Sequence, residues 1–344
     1  MNNTSSLRYC SLASKDFGVD PIGSAIQADR WIMIEVPRPW SKNPWENEST
    51  GLLNLFQSLE KHPHLWRNTR ILAIASDKEY SQIGCRNVIC FNRPSRPFSR
   101  YDTLHFSVPL DRLTKFLEQV TFHKPLTSFS EFYQVPCRHL FVCTHTHYDL
   151  ACGRFGTPIY QALRQNYSDQ QLQVWQVAHF GGHHLAPTLI DFPQGQFWGF
   201  LEPNVLDILI NRQGDVKQLY PYYRGWGGVS AWTQVLEREI WMKQGWEWLK
   251  IPKQEVIKTQ DGGKLRHRLL RKLLRHVPTI RAQVLLSKLE QKLSWSEIEI
   301  LAGDDQKRRQ SYRARIAVNH EIMTPLCSQA MDRQQPVKQY QVCW

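Results

Sequence analysis

Two pairs of side chains carry the chemistry that this chain can offer: Cys143 and Cys152, with eight residues between them, and His179 and His183, with three between them. Thiolate sulfur and imidazole nitrogen are the donors that zinc and iron–sulfur clusters take. An eight-residue loop folds back easily, and Gly181-Gly182 between the histidines permits a tight turn, so each pair can aim at one point. Taken singly, a buried cysteine is ordinary packing and a histidine is usually satisfied by a carbonyl. Two such pairs at equivalent strand ends of one small segment point instead to a four-donor site. Zinc fingers place their cysteines two to four residues apart, whereas the gaps here are eight, 26 and three. Pairs from separate loops suit a two-iron cluster better, one pair per iron, although zinc accepts the same donors. His145, His147 and His184 lie close by in sequence and are alternative ligands; His183 is preferred over His184 because it completes the three-residue gap.

The elements that must position these residues can be read from local pattern. Leu140-Phe141-Val142 is a short apolar strand running straight into Cys143, and Leu172 to Val177 alternates as a strand and ends near His179. Cys152 is expected in the loop between, with Thr157 as N-cap and Pro158 as the first-turn proline of a helix carrying Ile159, Tyr160, Leu163 and Tyr167. Strands at 189–192 and 197–200 and a helix at 205–210 complete a β-α-β-β-β-α order, which is that of a thioredoxin-like unit over residues 136–222. Residues 1–125 read as an N-terminal α/β domain, of which a degenerate thioredoxin-like unit is one form, with strands at 31–36, 71–75 and 88–91, a helix through Leu52, Leu53, Leu55, Phe56 and Leu59, and another at 110–122. Residues 226–344 read as a helical, basic C-terminal region with amphipathic helices at 229–242 and 287–301. A cationic stretch from Lys264 to Arg275 there has its leucines on one stripe.

With 344 residues, two or three packed units are expected, and 42% hydrophobic residues suffice for a sizeable core. No run reaches the 18 apolar residues of a membrane span, and the start lacks the layout of a secretory signal, so the chain reads as soluble and cytoplasmic. Eight cysteines spread over this length are too sparse for a disulfide scaffold. Of the net charge of +12, +9 falls in residues 226–344, with 21 Lys and Arg against 12 Asp and Glu. Such a tail suits an acidic redox partner, an anionic membrane face or nucleic acid, of which a protein partner is preferred.

The run Cys143-Thr-His-Thr-His-Tyr-Asp-Leu-Ala-Cys152-Gly153, followed by His179-Phe-Gly-Gly-His183-His184-Leu-Ala-Pro187, resembles the sucrase/ferredoxin-like family. Weaker points of likeness are Cys10-Ser11, the Glu-x-Pro-x-Pro-Trp ending at Trp40, and Tyr223-Arg224-Gly225, so that the resemblance runs from about residue 8 to 245. It implies a thioredoxin-like ferredoxin whose [2Fe-2S] cluster is held by Cys143, Cys152, His179 and His183. It also implies that His-x3-His stands where all-cysteine thioredoxin-like ferredoxins carry Cys-x3-Cys. Family members often carry Arg-Asp-x-Arg before the second cysteine; this chain has His147-Tyr148-Asp149-Leu150-Ala151, without arginine. Replacing two thiolates by neutral imidazoles leaves the oxidised site near neutral, which predicts a potential above that of plant-type ferredoxins.

The family name also evokes sugar cleavage, which needs two carboxylates across a site. Asp149, Asp191 and Glu202 show no such pairing, and no Gly-x-Ser-x-Gly elbow, Walker loop or dinucleotide fingerprint is present. The expectation is an electron carrier rather than an enzyme with its own substrate chemistry. The alternatives are a zinc-stabilised Cys2His2 binding module, with nucleic acid met through Lys264 to Arg275 as one form of it, and a metal-free thioredoxin-like scaffold.

Overall fold

The computed structural model describes residues 9–46, 68–95, 97–261, 265–274, 292–303 and 309–344, with Leu52, Phe56, Val277, Ala282, Leu285, Leu286 and Leu289. Apolar runs buried on both faces form the centre of one sheet, as expected where strands are covered on either side. After helix α1 (Cys10–Asp16), strand β1 (Arg30–Glu35) runs parallel to β2 (Thr69–Ile74) and antiparallel to β3 (Cys85–Asn92). Strand β4 (Asp102–Pro109) pairs with β3, and helix α2 (Leu110–Thr121) follows, before a short edge strand β5 (Tyr133–Gln134). Of the expected helix through Leu52 to Leu59, Leu53, Leu55 and Leu59 lie outside the described residues.

The second half repeats the plan. Strand β6 (Arg138–Cys143), helix α3 (Leu150–Asn166) and β7 (Leu172–Val177) form a parallel crossover unit; β8 (Leu189–Phe192) returns antiparallel beside β6, and β9 (Gln196–Trp198) pairs with β8. Helix α4 (Leu206–Asn211) and strand β10 (Tyr223–Trp226) close it. Within each half the strand order is the same: β2-β1-β3-β4 in the first and β7-β6-β8-β9 in the second. An order of 2-1-3-4 with the third strand antiparallel to the first is that of the thioredoxin fold, so both halves are thioredoxin-like. They meet edge to edge where β2 and β7 pair antiparallel at Ile74 and Val177, giving one ten-stranded sheet.

The C-terminal region corrects the helical expectation. Helix α5 (Ala231–Gln244), capped by Ser230, agrees with the pattern, and the basic stretch is helical as α6 (Leu265–Leu274). The rest of the described C-terminal region is dominated by a four-stranded antiparallel sheet of β11 (Lys253–Gln260), β12 (Trp295–Ala302), β13 (Gln310–Cys327) and β14 (Ala330–Cys343). The helix expected over 287–301 is a strand from Trp295 onward. Its period is two: Ser296, Ile298, Ile300 and Ala302 turn inward, while Glu297, Glu299 and Leu301 are less covered. Ile298, Ile300, Ala314 and Ile316 join Leu236, Ile240 and Trp241 in the core beneath α5, which fastens this sheet to the larger one. Beyond that core the β13–β14 hairpin reaches α1 and the turn around His183.

Candidate functional site

Cys143 is the last residue of β6, and parallel pairing sets it opposite Val177, two residues before His179. The first cysteine and first histidine are therefore neighbours because their strands are neighbours. Cys152, expected in a loop, is instead in the first turn of α3. Asp149 is the N-cap, its carboxylate accepting from the backbone N–H of Ala151 at 2.8 Å, and this starts the helix eight residues earlier than Thr157 would. Pro158 is accordingly inside the helix, where it lacks one N–H. The turn after β7 needs its two glycines: Gly181 and Gly182 have φ of 98° and 82°. A Cβ on Gly182 would also lie 2.6 Å from the Arg224 guanidinium.

The Cys143 and Cys152 sulfurs stand 4.0 and 3.7 Å from His179 Nδ1. These three donor atoms lie within 4.8 Å of one another, and both cysteines are buried. Burial would raise Cys143, but the hydrogen bond from Cys152 and the proximity of His179 hold it well below the usual thiol range. Cys152, hydrogen-bonded to the Cys143 sulfur and itself buried, is pushed well above it. Tyr148 stacks on the His179 ring at 3.7 Å.

His183 is not drawn into the same trio. Its ring centre is 5.4 Å from that of His179, but its Nδ1 faces Asp149 Oδ2 at 3.4 Å and Cys10 Sγ at 3.5 Å. Cys10, Asp149 and His183 form a second group of donor atoms within 4.8 Å of one another. Burial depresses the His183 pKa, with Asp149 opposing the shift. Of the alternative histidines, His145 is buried with Nε2 2.8 Å from the Ser41 carbonyl and Nδ1 accepting from the backbone N–H of His179, and His147 is exposed. His184 is driven down to about 3, chiefly by burial and then by Arg224.

Three further residues belong to the surroundings. Asp149, read from sequence as an isolated acid, is fully buried and caps the helix of Cys152. Cys10 approaches it from α1, with its thiol pushed up to about 12, mainly by burial. Arg224 is a buried guanidinium that donates to the Gly181 carbonyl at 3.2 Å and to the Ser24 carbonyl at 2.8 Å; burial lowers it to about 10, while the nearby Cys143 and Cys152 oppose that shift. Cys10 and Arg224 carried a sequence signal only through the family resemblance. Nothing local marked their burial beside the cysteines.

Fold and site together define a double thioredoxin-like α/β protein with a Cys/His donor cluster at the strand ends of its second unit. The chain belongs to the sucrase/ferredoxin-like family, whose sequence profile matches residues 21–225. No match to a curated protein was found. Among solved structures, a thioredoxin-like [2Fe-2S] ferredoxin from Aquifex aeolicus is similar at 18% identity, over 25% of this chain and 96% of that one, with a TM-score of 0.21. A further structure described as a thioredoxin-like [2Fe-2S] ferredoxin from that organism gives 17%, 28%, 99% and 0.22 respectively. The thioredoxin-like assignment rests on strand order and direction, not on these values. No helix among the described residues is long and apolar enough to cross a membrane.

Proposed function

We propose that the chain is an electron-transfer protein whose second thioredoxin-like unit, residues 136–222, carries a [2Fe-2S] cluster held by Cys143, Cys152, His179 and His183. The observation that carries this reading is the convergence of two buried sulfurs and His179 Nδ1 at adjacent strand ends, with the His183 ring one ring-width behind. The donor set fits such a group: a thiolate pair and an imidazole pair come from separate turns, and one thiolate is already favoured by its surroundings. When bound, the group would take up and release a single electron.

The chain's own residues supply the rest. The core around Phe141, Trp175, Val177 and Phe180 keeps water from the sulfurs. Arg224 places positive charge behind them and braces the Gly181 turn. Tyr148 covers the outer face of His179. The cationic C-terminal region would dock an acidic redox partner in a reducing compartment, where thiols stay available.

Anaerobic purification tests this directly. A reddish-brown protein whose visible absorption bleaches with dithionite, and whose reduced-state paramagnetic resonance changes in His179→Cys and His183→Cys, is expected. A colourless protein with stoichiometric zinc would replace this reading by the zinc-stabilised module, and a metal-free one by a scaffold.

A further inference from the structure

Asp149 is the most heavily solicited side chain near the site, and its partners come from four parts of the chain. It is fully buried, so its carboxylate needs hydrogen bonds on both oxygens. Oδ1 accepts from the backbone N–H of Ala151 at 2.8 Å and from the Ser328 hydroxyl at 2.7 Å. Oδ2 accepts from the backbone N–H of Ser328 at 2.9 Å and faces His183 Nδ1 at 3.4 Å. The Cys10 sulfur lies 3.7 and 3.8 Å from the two oxygens. Ser328 belongs to the tip of the β13–β14 hairpin, about a hundred residues beyond the segment that matches the family profile. Its hydroxyl also accepts from the backbone N–H of Cys10 at 3.2 Å, so this one side chain ties α1 to the cap of α3.

We infer that Asp149 and Ser328 are positioning residues for His183. The hairpin tip locks the carboxylate in place, and the carboxylate holds the imidazole with its proton on Nδ1, leaving Nε2 as the nitrogen that a metal can take. The value for metal binding rests on the function proposed above; the hydrogen-bond network itself does not. A histidine ligand oriented by a carboxylate is more basic and has one tautomer selected, which conserves the entropy that a freely turning ring would lose on binding. The carboxylate also couples two ligands, because the residue that orients His183 is the cap of the helix that carries Cys152. The C-terminal sheet is therefore part of the site's framework.

The test reads the tautomer rather than activity. In metal-free, full-length protein labelled with nitrogen-15, at a fixed pH of about 8 where imidazoles are neutral, His183 is expected to show a protonated Nδ1 and a bare Nε2. Asp149→Asn keeps a side-chain oxygen able to cap the helix but removes the charge, and is expected to lower the Nδ1–H to Nε2–H ratio about tenfold or more. Ser328→Ala should lower it in the same direction and Ser328→Thr should restore it. Helical content should remain unchanged throughout, since a purely structural cap would leave the tautomer alone. A His183 already protonated on Nε2 in the wild type, or a ratio unmoved by both Asp149→Asn and Ser328→Ala, overturns the inference. If Asp149→Asn does not fold, Ser328→Ala against Ser328→Thr decides. Iron incorporation separates the two levels of the argument. A wild type that binds no iron but shows the expected tautomer shifts sinks the proposed function and keeps the network. A wild type with nitrogen-coordinated iron and unmoved tautomers does the reverse.

Discussion

Gly156 offers the sharpest test of how the site is assembled. It lies on the face of α3 that crosses the end of β6, and a Cβ built on it would sit 2.0 Å from the Cys143 carbonyl oxygen and 3.1 Å from its carbon. Contact at a normal separation requires the helix to back away by roughly 1.5 Å. The strand cannot yield instead, because β6 is paired on both sides, to β7 and β8. On helix propensity alone, Gly156→Ala would stabilise by about 1 kcal/mol. Overpacking costs about 1–3 kcal/mol, and the upper end applies here because the obstacle is backbone. The net loss of about 2 kcal/mol corresponds to a fall in melting temperature of roughly 4–8 °C, read by circular dichroism on metal-free protein. The same displacement carries Cys152 away from Cys143, so metal retention should fall as well. Gly153→Ala is the comparison: its Cβ meets mainly the Thr146 side chain, with Oγ1 at 1.9 Å, which can give way more cheaply. A Gly156→Ala protein that melts at or above the wild-type temperature would refute the close packing of α3 on the end of β6.

Asp191 is fully buried and bound by Arg138 at 2.8 and 3.0 Å and by Arg212 at 3.1 Å. Asp191→Asn leaves two partly covered cations short of a partner and should cost about 3 kcal/mol, visible as a lower urea midpoint; an unchanged midpoint would contradict it. Burial drives His105 down from 6.5 to about 4. Because the unfolded chain binds the proton more readily, this contribution is present above about pH 6.5 and is lost as pH falls toward 4, amounting to about 3 kcal/mol. Denaturation midpoints at pH 7 and 4.5 should differ accordingly, and a His105→Phe protein should show a smaller drop. In iron-loaded protein, Arg224→Met should lower the midpoint potential by tens of millivolts, the scale of one lost charge at an effective dielectric of about 20. A potential that rises or stays put would remove Arg224 from the electrostatics of the site.

Much of the scaffold was legible because it is written in local periodicity. The apolar run ending at Cys143 and the alternation of Leu172 to Val177 were enough to place one candidate ligand at a strand end and another, His179, two residues beyond the next. Helix α2 and helix α5 fell where their apolar spacing put them. The start of α3 did not, because Thr157-Pro158 is a persuasive cap signal and the decisive one, Asp149, is stabilised by partners far away in sequence. The C-terminal sheet escaped for a related reason. Strands such as Arg313-Ala314-Arg315-Ile316 mix long charged side chains with small apolar ones, and the turn at Ser328-Gln329 contains no glycine to announce it.

The types and spacings of Cys143, Cys152, His179 and His183 were determined by the sequence alone, as was the thioredoxin-like order of elements around them. The tertiary structure alone decided that two such units share one sheet through β2 and β7, and that His183 turns toward Asp149 and Cys10 while His179 turns toward the sulfurs. The reason is one of range. Periodicity and capping act within a few residues, whereas the direction of a side chain at a strand end depends on which buried groups, from Cys10 to Ser328, the whole chain folds up against it.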